Sequence, residues 1–319
     1  MEWYHYLLIC IILFVVFLAI FFLFLLPLIC YIKTFYVNRK KEKNVDITNL
    51  PDQDVYNLYR EMIIQDINDV RKMSYEDLSI KSFDKLTLYA KYYEYDKESP
   101  IEIMFPGYRG NAERDLSTGV NRAFKCKRSV VLVDQRASGR SEGHTISFGI
   151  NERIDCLYWA RYISEKFGKN RKIIITGISM GAATVLMASN LDLPSNVVGV
   201  LADCPYNMPK DIIIKVLKDM KLQPKLIYPF IKLGARMYGN FDLEGASPIE
   251  SVKKTKLPII FFHGSNDDYV PCHMSEKLYD ACISEKRIVK IEEGLHGTSY
   301  LTNSKKYLEE LQDFFKDVK

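Results

Sequence analysis

The stretch from Lys172 to Ala183 reads Lys-Ile-Ile-Ile-Thr-Gly-Ile-Ser-Met-Gly-Ala-Ala, a β-branched run that gives way abruptly to small residues. It predicts a strand, a sharp turn and a helix, with Ser179 at the apex. A turn that tight forces the serine into a strained backbone conformation, and the positions two residues to either side must lack a Cβ for the chain to pass. Gly177 and Gly181 meet that demand, and Ala182 and Ala183 let the new helix lie close to the sheet. The positive end of that helix then sits beneath the serine oxygen. The stretch therefore calls for a sheet with a helix packed on it, and places an exposed hydroxyl beside a site for negative charge.

The glycine-serine-glycine spacing alone does not choose the residue, because Gly139-Arg140-Ser141-Glu142-Gly143 has it too. Ser141 lies well past the end of the strand Ser129 to Asp134, and His144 and Thr145 follow where a close-packed helix needs small apolar residues. Context selects Ser179 as the candidate nucleophile.

Around this turn, strands and helices alternate. Leu78 to Ser82 and Leu86 to Tyr95 alternate like an antiparallel hairpin with its turn at Phe83-Asp84-Lys85. Strands then follow at Ile101 to Phe105, Ser129 to Asp134, Lys172 to Thr176, Val197 to Asp203, Leu257 to His263 and Lys286 to Glu292, with helical patterns between them. That order specifies a mostly parallel sheet with helices on both faces. Between Asn207 and Lys256 the alternation lapses into helical pieces, Asp211 to Met220 and Leu226 to Tyr238 around Pro229. An insertion there sits over the strand ends, where α/β sheets bind ligands, and is expected to be a cap that shapes the substrate pocket.

The N-terminus is of another kind. From Tyr6 to Ile32 there is no charged residue, a run long enough to cross a bilayer, which needs about 20 apolar residues. No basic segment precedes it, its apolar core exceeds that of a secretion signal, and no small-x-small cleavage site ends it, so it reads as an uncleaved anchor. Glu2 stands before it, and Lys33, Arg39, Lys40, Lys41 and Lys43 stand after it. The positive-inside rule then puts the body of the chain on the cytoplasmic face. The expected organisation is an anchor with its basic flank over 1–43, a linker and an amphipathic helix over 44–75, and the catalytic domain over 76–319, its cap at about 207–256. In the helix opened by Pro51-Asp52, Val55, Leu58, Tyr59, Met62, Ile63, Ile67 and Val70 recur at the spacing of a face packed on the domain.

Composition closes off other classes. The formal net charge is +4, from 44 Lys and Arg against 40 Asp and Glu, and no basic block with interleaved aromatics suggests nucleic acid as a partner. The seven cysteines form no Cys-x-x-Cys pair, which fits a reducing compartment better than a disulfide framework. No His-Glu-x-x-His or clustered Cys/His set implies a metal, and no cofactor is expected.

A serine hydroxyl needs a base to take its proton and a carboxylate to orient that base. Asp267 lies in the loop His263-Gly264-Ser265-Asn266-Asp267-Asp268-Tyr269-Val270-Pro271, and His296 lies in Glu293-Gly294-Leu295-His296-Gly297. These loops follow two successive strands, so the chain order serine, acid, histidine brings both to one edge of the sheet. Asp203, Asp268 and His273 are the rivals. The oxyanion of acyl transfer needs preformed donors. Met180 supplies one backbone N–H by following the nucleophile, and the loop Pro106 to Asn111 supplies the other at Tyr108.

Together these residues resemble the α/β-hydrolase superfamily, and within it the bacterial membrane-anchored serine hydrolases related to the serine aminopeptidase-like branch. The resemblance runs from about Leu86 to the C-terminus. It also rests on Asp134-Gln135-Arg136-Ala137-Ser138-Gly139-Arg140-Ser141-Glu142-Gly143, similar to the branch's Asp-x-Arg-Gly-x-Gly-x-Ser-x-Gly signature, and on His-Gly-x-x-Asp-x-x-Val-Pro from His263 to Pro271. Pro106 stands where many members carry histidine before the oxyanion glycine, and Ala137 replaces a common glycine. The resemblance implies a serine hydrolase. The aromatic and aliphatic residues of the expected cap, Leu226, Ile227, Tyr228, Phe230, Ile231, Met237 and Tyr238, read as pocket lining, and with the anchor close to lipid they favour a small-molecule or lipid-like ester as substrate. An aminopeptidase-like amide hydrolase and a catalytically silent binding module are the other readings.

Overall fold

The computed structural model describes residues 3–38 and 54–318. The apolar N-terminus is one helix in three parts: α1, Trp3–Ile20; a π-helical turn, Phe21–Leu25; and α2, Leu26–Thr34. Pro27 accounts for the middle part. It has no N–H for the carbonyl four residues back, and the helix takes up the misfit by widening, so that Leu26 N–H bonds Phe21 O. At 32 residues the whole helix is about 48 Å long, against roughly 30 Å for a bilayer's hydrocarbon core. The surplus is used. No residue of α1 is buried, but Pro27, Cys30, Tyr31, Phe35 and Val37 are packed into the rest of the molecule. The flank Arg39, Lys40, Lys41 and Lys43, the linker Asn44 to Asn49 and the Pro51-Asp52 opening lie outside the described residues.

Helix α3, Asp54–Lys72, buries Ile63, Ile67 and Val70 at the expected spacing. Leu58 and Met62, expected on the same face, stay exposed. The helix is tied down instead by polar contacts, with Thr118 and Asn121 donating to Asp66 and Tyr59 bonding Thr302.

The sheet has eight strands: β1, Glu76–Lys81; β2, Thr87–Tyr93; β3, Ile101–Phe105; β4, Ser129–Val133; β5, Ile173–Ile178; β6, Val197–Asp203; β7, Ile259–Gly264; and β8, Lys286–Ile291. Their order is β1-β2-β4-β3-β5-β6-β7-β8. The β1–β2 and β2–β4 pairs are antiparallel and all others parallel. β3 and β4 are buried along their whole length, as covered parallel strands must be. The covering helices are α4, Ala112–Lys125; α5, Glu152–Phe167; and α6, Met180–Ala188. After β6 come α7, Pro209–Asp219; α8, Pro224–Tyr238; and α9, Pro248–Val252, and the chain finishes with α10, His273–Ala281; α11, Ser299–Thr302; and α12, Ser304–Phe314.

The inserted helices α7 to α9 form the expected cap, but their apolar faces serve another purpose. Helix α8 crosses α2 at Gly234, where a Cβ would fall 2.4 Å from Pro27 O and 3.2 Å from Tyr31 N, so only glycine permits the approach. The rings of Phe22 and Phe230, and of Tyr31 and Tyr238, lie 6.0 Å apart on either side of that crossing. Phe35, just past α2, stands edge-on to Phe148 and Phe241. The cap is thus the seat of the N-terminal helix.

Candidate active site

Every element that meets at Ser179 arrives from the C-terminal edge of the sheet. Ser179 has φ 55° and ψ −115°, the strained apex that its neighbours imply. A Cβ on Gly177 would fall 2.2 Å from Gly181 C and O, and one on Gly181 would fall 2.0 Å from Phe105 O, so both glycines are obligatory. The turn is strapped to β6 by a hydrogen bond from Ser179 N–H to Asp203 O at 2.8 Å.

Ser179 Oγ lies 3.0 Å from His296 Nε2, and His296 Nδ1 lies 2.7 Å from Asp267 Oδ2. The other carboxylate oxygen of Asp267 accepts the backbone N–H groups of Tyr269 and Val270 at 3.0 and 2.8 Å. Burial pushes this carboxyl up, but hydrogen bonds from His263 and His296 outweigh it and hold Asp267 down at about 2. An ionised Asp267 only accepts, so His296 carries its proton on Nδ1 and presents a free lone pair to the serine hydroxyl.

His263, which precedes the acid in the chain, is a further partner of Asp267. It is fully buried, and its Nε2 lies 2.8 Å from Val270 O and 3.2 Å from Asp267 Oδ2. Both are acceptors, so Nε2 holds the proton and Nδ1 accepts from Ser275 at 2.7 Å. The signal was in the sequence, as the first residue of the His-Gly-x-x-Asp pattern.

The rivals fall elsewhere. Ser141 is fully buried, its hydroxyl donating to Asp134 O at 2.6 Å and accepting from Tyr89 N–H at 2.8 Å. Asp203 accepts from Ser299 and Tyr307 rather than from His296, and burial pushes its carboxyl up to about 6. Asp268 and His273 are exposed. Cys204, Asp267 and His296 form the only group among the described residues with metal-ligand atoms within 4.8 Å of one another. Asp267 and His296 already bond each other there, and burial pushes the Cys204 thiol well up, which leaves a poor ligand set.

The loop at Gly107 closes the other side of the serine. A Cβ on Gly107 would come 3.7 Å from Ser179 Cβ. Among the described residues neither Met180 N–H nor Tyr108 N–H is a donor in the loop and turn hydrogen bonds. The signature loop buttresses this one, with Gln135 donating to Pro106 O and Ser138 to Gly110 O. A second support comes from the N-terminal helix. Tyr108 Oη donates to Thr34 O at 2.7 Å, and Arg109 Nη2 donates to Lys33 O and Tyr36 O, each at 3.1 Å. Arg109 caps the carbonyl end of a helix, where a cation belongs.

A cavity of about 570 Å³ opens at Ser179 and His296 and runs between Ile63 of α3, Leu116 and Gly119 of α4, Met104, Leu201 and Leu301. Among the described residues none of 207–256 lines it, which corrects the expectation that the cap shapes the pocket. Helix α8 of the cap packs on α2 instead, and α3, α4 and α11 form the walls.

Comparison with known proteins fits this geometry. Residues 145–319, more than half of the chain, match the family model Peptidase_S9, the prolyl oligopeptidase family. The chain belongs to that family. It is 27% identical over 191 residues to the uncharacterized protein YqkD of Bacillus subtilis, covering 60% of this chain and 63% of that one, so just under two thirds of that relative is spanned. It is 26% identical over 225 residues to protein bem46 of Schizosaccharomyces pombe, covering 67% and 68%. Among solved structures, the Pyrococcus furiosus esterase Pf2001 superposes with a TM-score of 0.64 at 18% identity, over 79% of this chain and 93% of that one. Pyrococcus horikoshii acylaminoacyl peptidase does so with a TM-score of 0.57 at 17% identity, over 78% and 43%. The fold is that of the α/β hydrolases.

Proposed function

We propose that this chain is a membrane-tethered serine hydrolase that cleaves an ester-like acyl bond. The observation that carries the reading is the continuous chain of contacts from Ser179 Oγ through both nitrogens of His296 to Asp267, opening on a cavity. Ser179 Oγ bonds the acyl carbon while its proton passes to His296 Nε2. The negative oxygen so formed is held by Met180 N–H and Tyr108 N–H. Collapse breaks the bond to the leaving oxygen, which takes the proton from His296. Water then repeats the sequence, giving a proton to His296 and its oxygen to the acyl carbon, and Ser179 regains its hydrogen.

An apolar acyl chain suits the apolar part of the cavity lining, Ile63, Met104, Leu116, Ile178, Leu201 and Leu301, which stands beside Arg122, Thr176 and Asp203. That lining replaces the cap aromatics as the ground for preferring esters. The peptidase reading is favoured by the family's name and by the acylaminoacyl peptidase fold neighbour. Rates on p-nitrophenyl esters of rising chain length, set against aminoacyl anilides, separate the two. Ester turnover that rises with chain length is expected, and faster anilide turnover makes the chain a peptidase. Absence of turnover on both series leaves the binding-module reading.

The tether reading is supported by the length and exposure of α1 and by the burial of Tyr31, Phe35 and Val37 in the domain. Removing a helix so seated opens a hole in the core, which argues for an anchor over a cleaved signal. The basic residues after the helix favour the cytoplasmic face over the extracytoplasmic one. Protease treatment of sealed right-side-out vesicles checks this: the domain is expected to be protected until the vesicles are lysed, and its digestion without lysis contradicts the placement.

A further inference from the structure

The cap hairpin has an unusual tip. Within seven residues it exposes Met220, Leu222 and Leu226, at 64%, 41% and 66%. Among the described residues outside the N-terminal helix, no other seven-residue stretch exposes three large apolar side chains. Lys218, Lys221 and Lys225 alternate with them and are exposed as well, while the one acid, Asp219, is paired with Lys215. Apolar side chains with interleaved lysines are the composition of a segment lying in the headgroup boundary of a bilayer.

Position agrees with composition. Tyr238 reaches both the ring of Tyr31 and the carbonyl of Phe24, and from Gly234 back to Phe230 the partners of α8 on the N-terminal helix move from Pro27 and Tyr31 to Phe22. The start of α8 therefore points toward the exposed, membrane-spanning part of that helix. Leu226 lies four residues beyond Phe230, about 6 Å farther in that direction at 1.5 Å per residue. The turn between α7 and α8, with Lys221 at φ 58°, lies farther still.

We propose that the tip Lys218 to Leu226 is a second membrane contact, with Met220, Leu222 and Leu226 among the acyl chains and the three lysines against anionic phosphates. It rests on reading the N-terminal helix as a membrane span. A single helix leaves the domain free to swivel and tilt. A second contact beside it fixes the face presented to the bilayer and the height of the active-site mouth above it.

The test uses the full chain in nanodiscs of phosphatidylcholine with and without phosphatidylserine. The photoreactive amino acid p-benzoylphenylalanine is placed at Phe14, Leu222, Leu226 or Glu309, the last an exposed position on α12. Lipid adducts are expected at 14, 222 and 226 but not at 309. Phosphatidylserine raises the yield at 222 and 226, and the triple variant Lys218→Glu, Lys221→Glu, Lys225→Glu removes that increase. Adducts at 14 with none above the 309 background at 222 and 226 overturn the second contact alone. Absence of adducts at 14 overturns the membrane reading and the proposal with it. Adducts at 222 and 226 to a protein rather than to lipid assign the tip to a partner and also overturn it.

Discussion

The two sides of Ser179 are held by different kinds of support. On the acid–base side, Asp267 is fixed by two backbone amides of its own loop and by His263, and His296 hangs from Asp267. All of these residues fall within the stretch that matches the family, 145–319. On the oxyanion side, the loop from Gly107 to Gly110 lies outside that stretch. It is pinned by Tyr108 and Arg109 to carbonyls at the end of the N-terminal helix. In the proposed mechanism the proton-transfer residues are therefore held within the hydrolase core, whereas the loop proposed to carry an oxyanion donor is also fixed to the N-terminal helix through Tyr108 and Arg109.

The largest effect that tests this contrast is on the acid. Asp267→Asn is expected to lower kcat by about 10⁴-fold, because an amide no longer selects the Nδ1–H tautomer. Asp203→Asn keeps an acceptor for one of Ser299 and Tyr307 and offers its NH2 to the other hydroxyl, and it leaves kcat near wild type. Equal losses in the two variants remove the distinction between acid and bystander. Asp203 has a signature of its own in stability. Its carboxyl is pushed up to about 6 in the fold, above the usual unfolded value near 3.9. The folded state holds the extra proton, so this group's contribution is present below about pH 4 and is lost as pH rises through 6. Asp203→Asn is expected to flatten that part of the stability curve, and an unchanged slope assigns it to another group.

A smaller effect is expected on the oxyanion side. Arg109→Ala and Tyr108→Phe leave both backbone donors in place but free the loop that carries one of them. A misplaced donor costs less than a lost one, which typically costs 10²–10³, so kcat falls about tenfold to a hundredfold with KM nearly unchanged. Arg109→Lys recovers part of the loss through a single ammonium donor. A rise in KM at constant kcat makes these residues substrate contacts instead, and wild-type kinetics in both variants make the clamp ornamental.

The smallest effect is acid lability. Asp267 is held at about 2, below its unfolded range. Its contribution, on the order of 2 kcal/mol, is present above about pH 4 and lost as pH falls toward 2. Denaturant unfolding of wild type and Asp267→Asn is expected to converge over that interval. Parallel curves down to pH 2 contradict it.

Much of this was legible in the chain. The strand pattern named the six parallel strands within a few residues, because covered strands are uniformly apolar and end in polar loops. Order and loop position pointed to Ser179, Asp267 and His296 as neighbours, and the structure brings the three within hydrogen-bond reach of one another. What escaped was set by contacts between distant segments. Leu226, Tyr228, Phe230 and Ile231 read as a pocket lining because hydrophobic spacing shows that a face is buried but not against what. That the buried face meets α2 depends on Gly234, whose closeness to Pro27 and Tyr31 no local pattern records. Nothing in the sequence singled out Arg109, for the same reason. Its acceptors are carbonyls more than seventy positions earlier, in a helix whose composition speaks only of lipid.

The central claim is that Ser179 is an activated nucleophile. The full chain in detergent or nanodiscs is treated with a fluorophosphonate and the modified residue is located by peptide mass mapping. One phosphonyl adduct is expected, on Ser179, retained in Ser141→Ala and absent from Ser179→Ala and His296→Ala. An adduct on another residue, or undiminished labelling of Ser179→Ala, contradicts it.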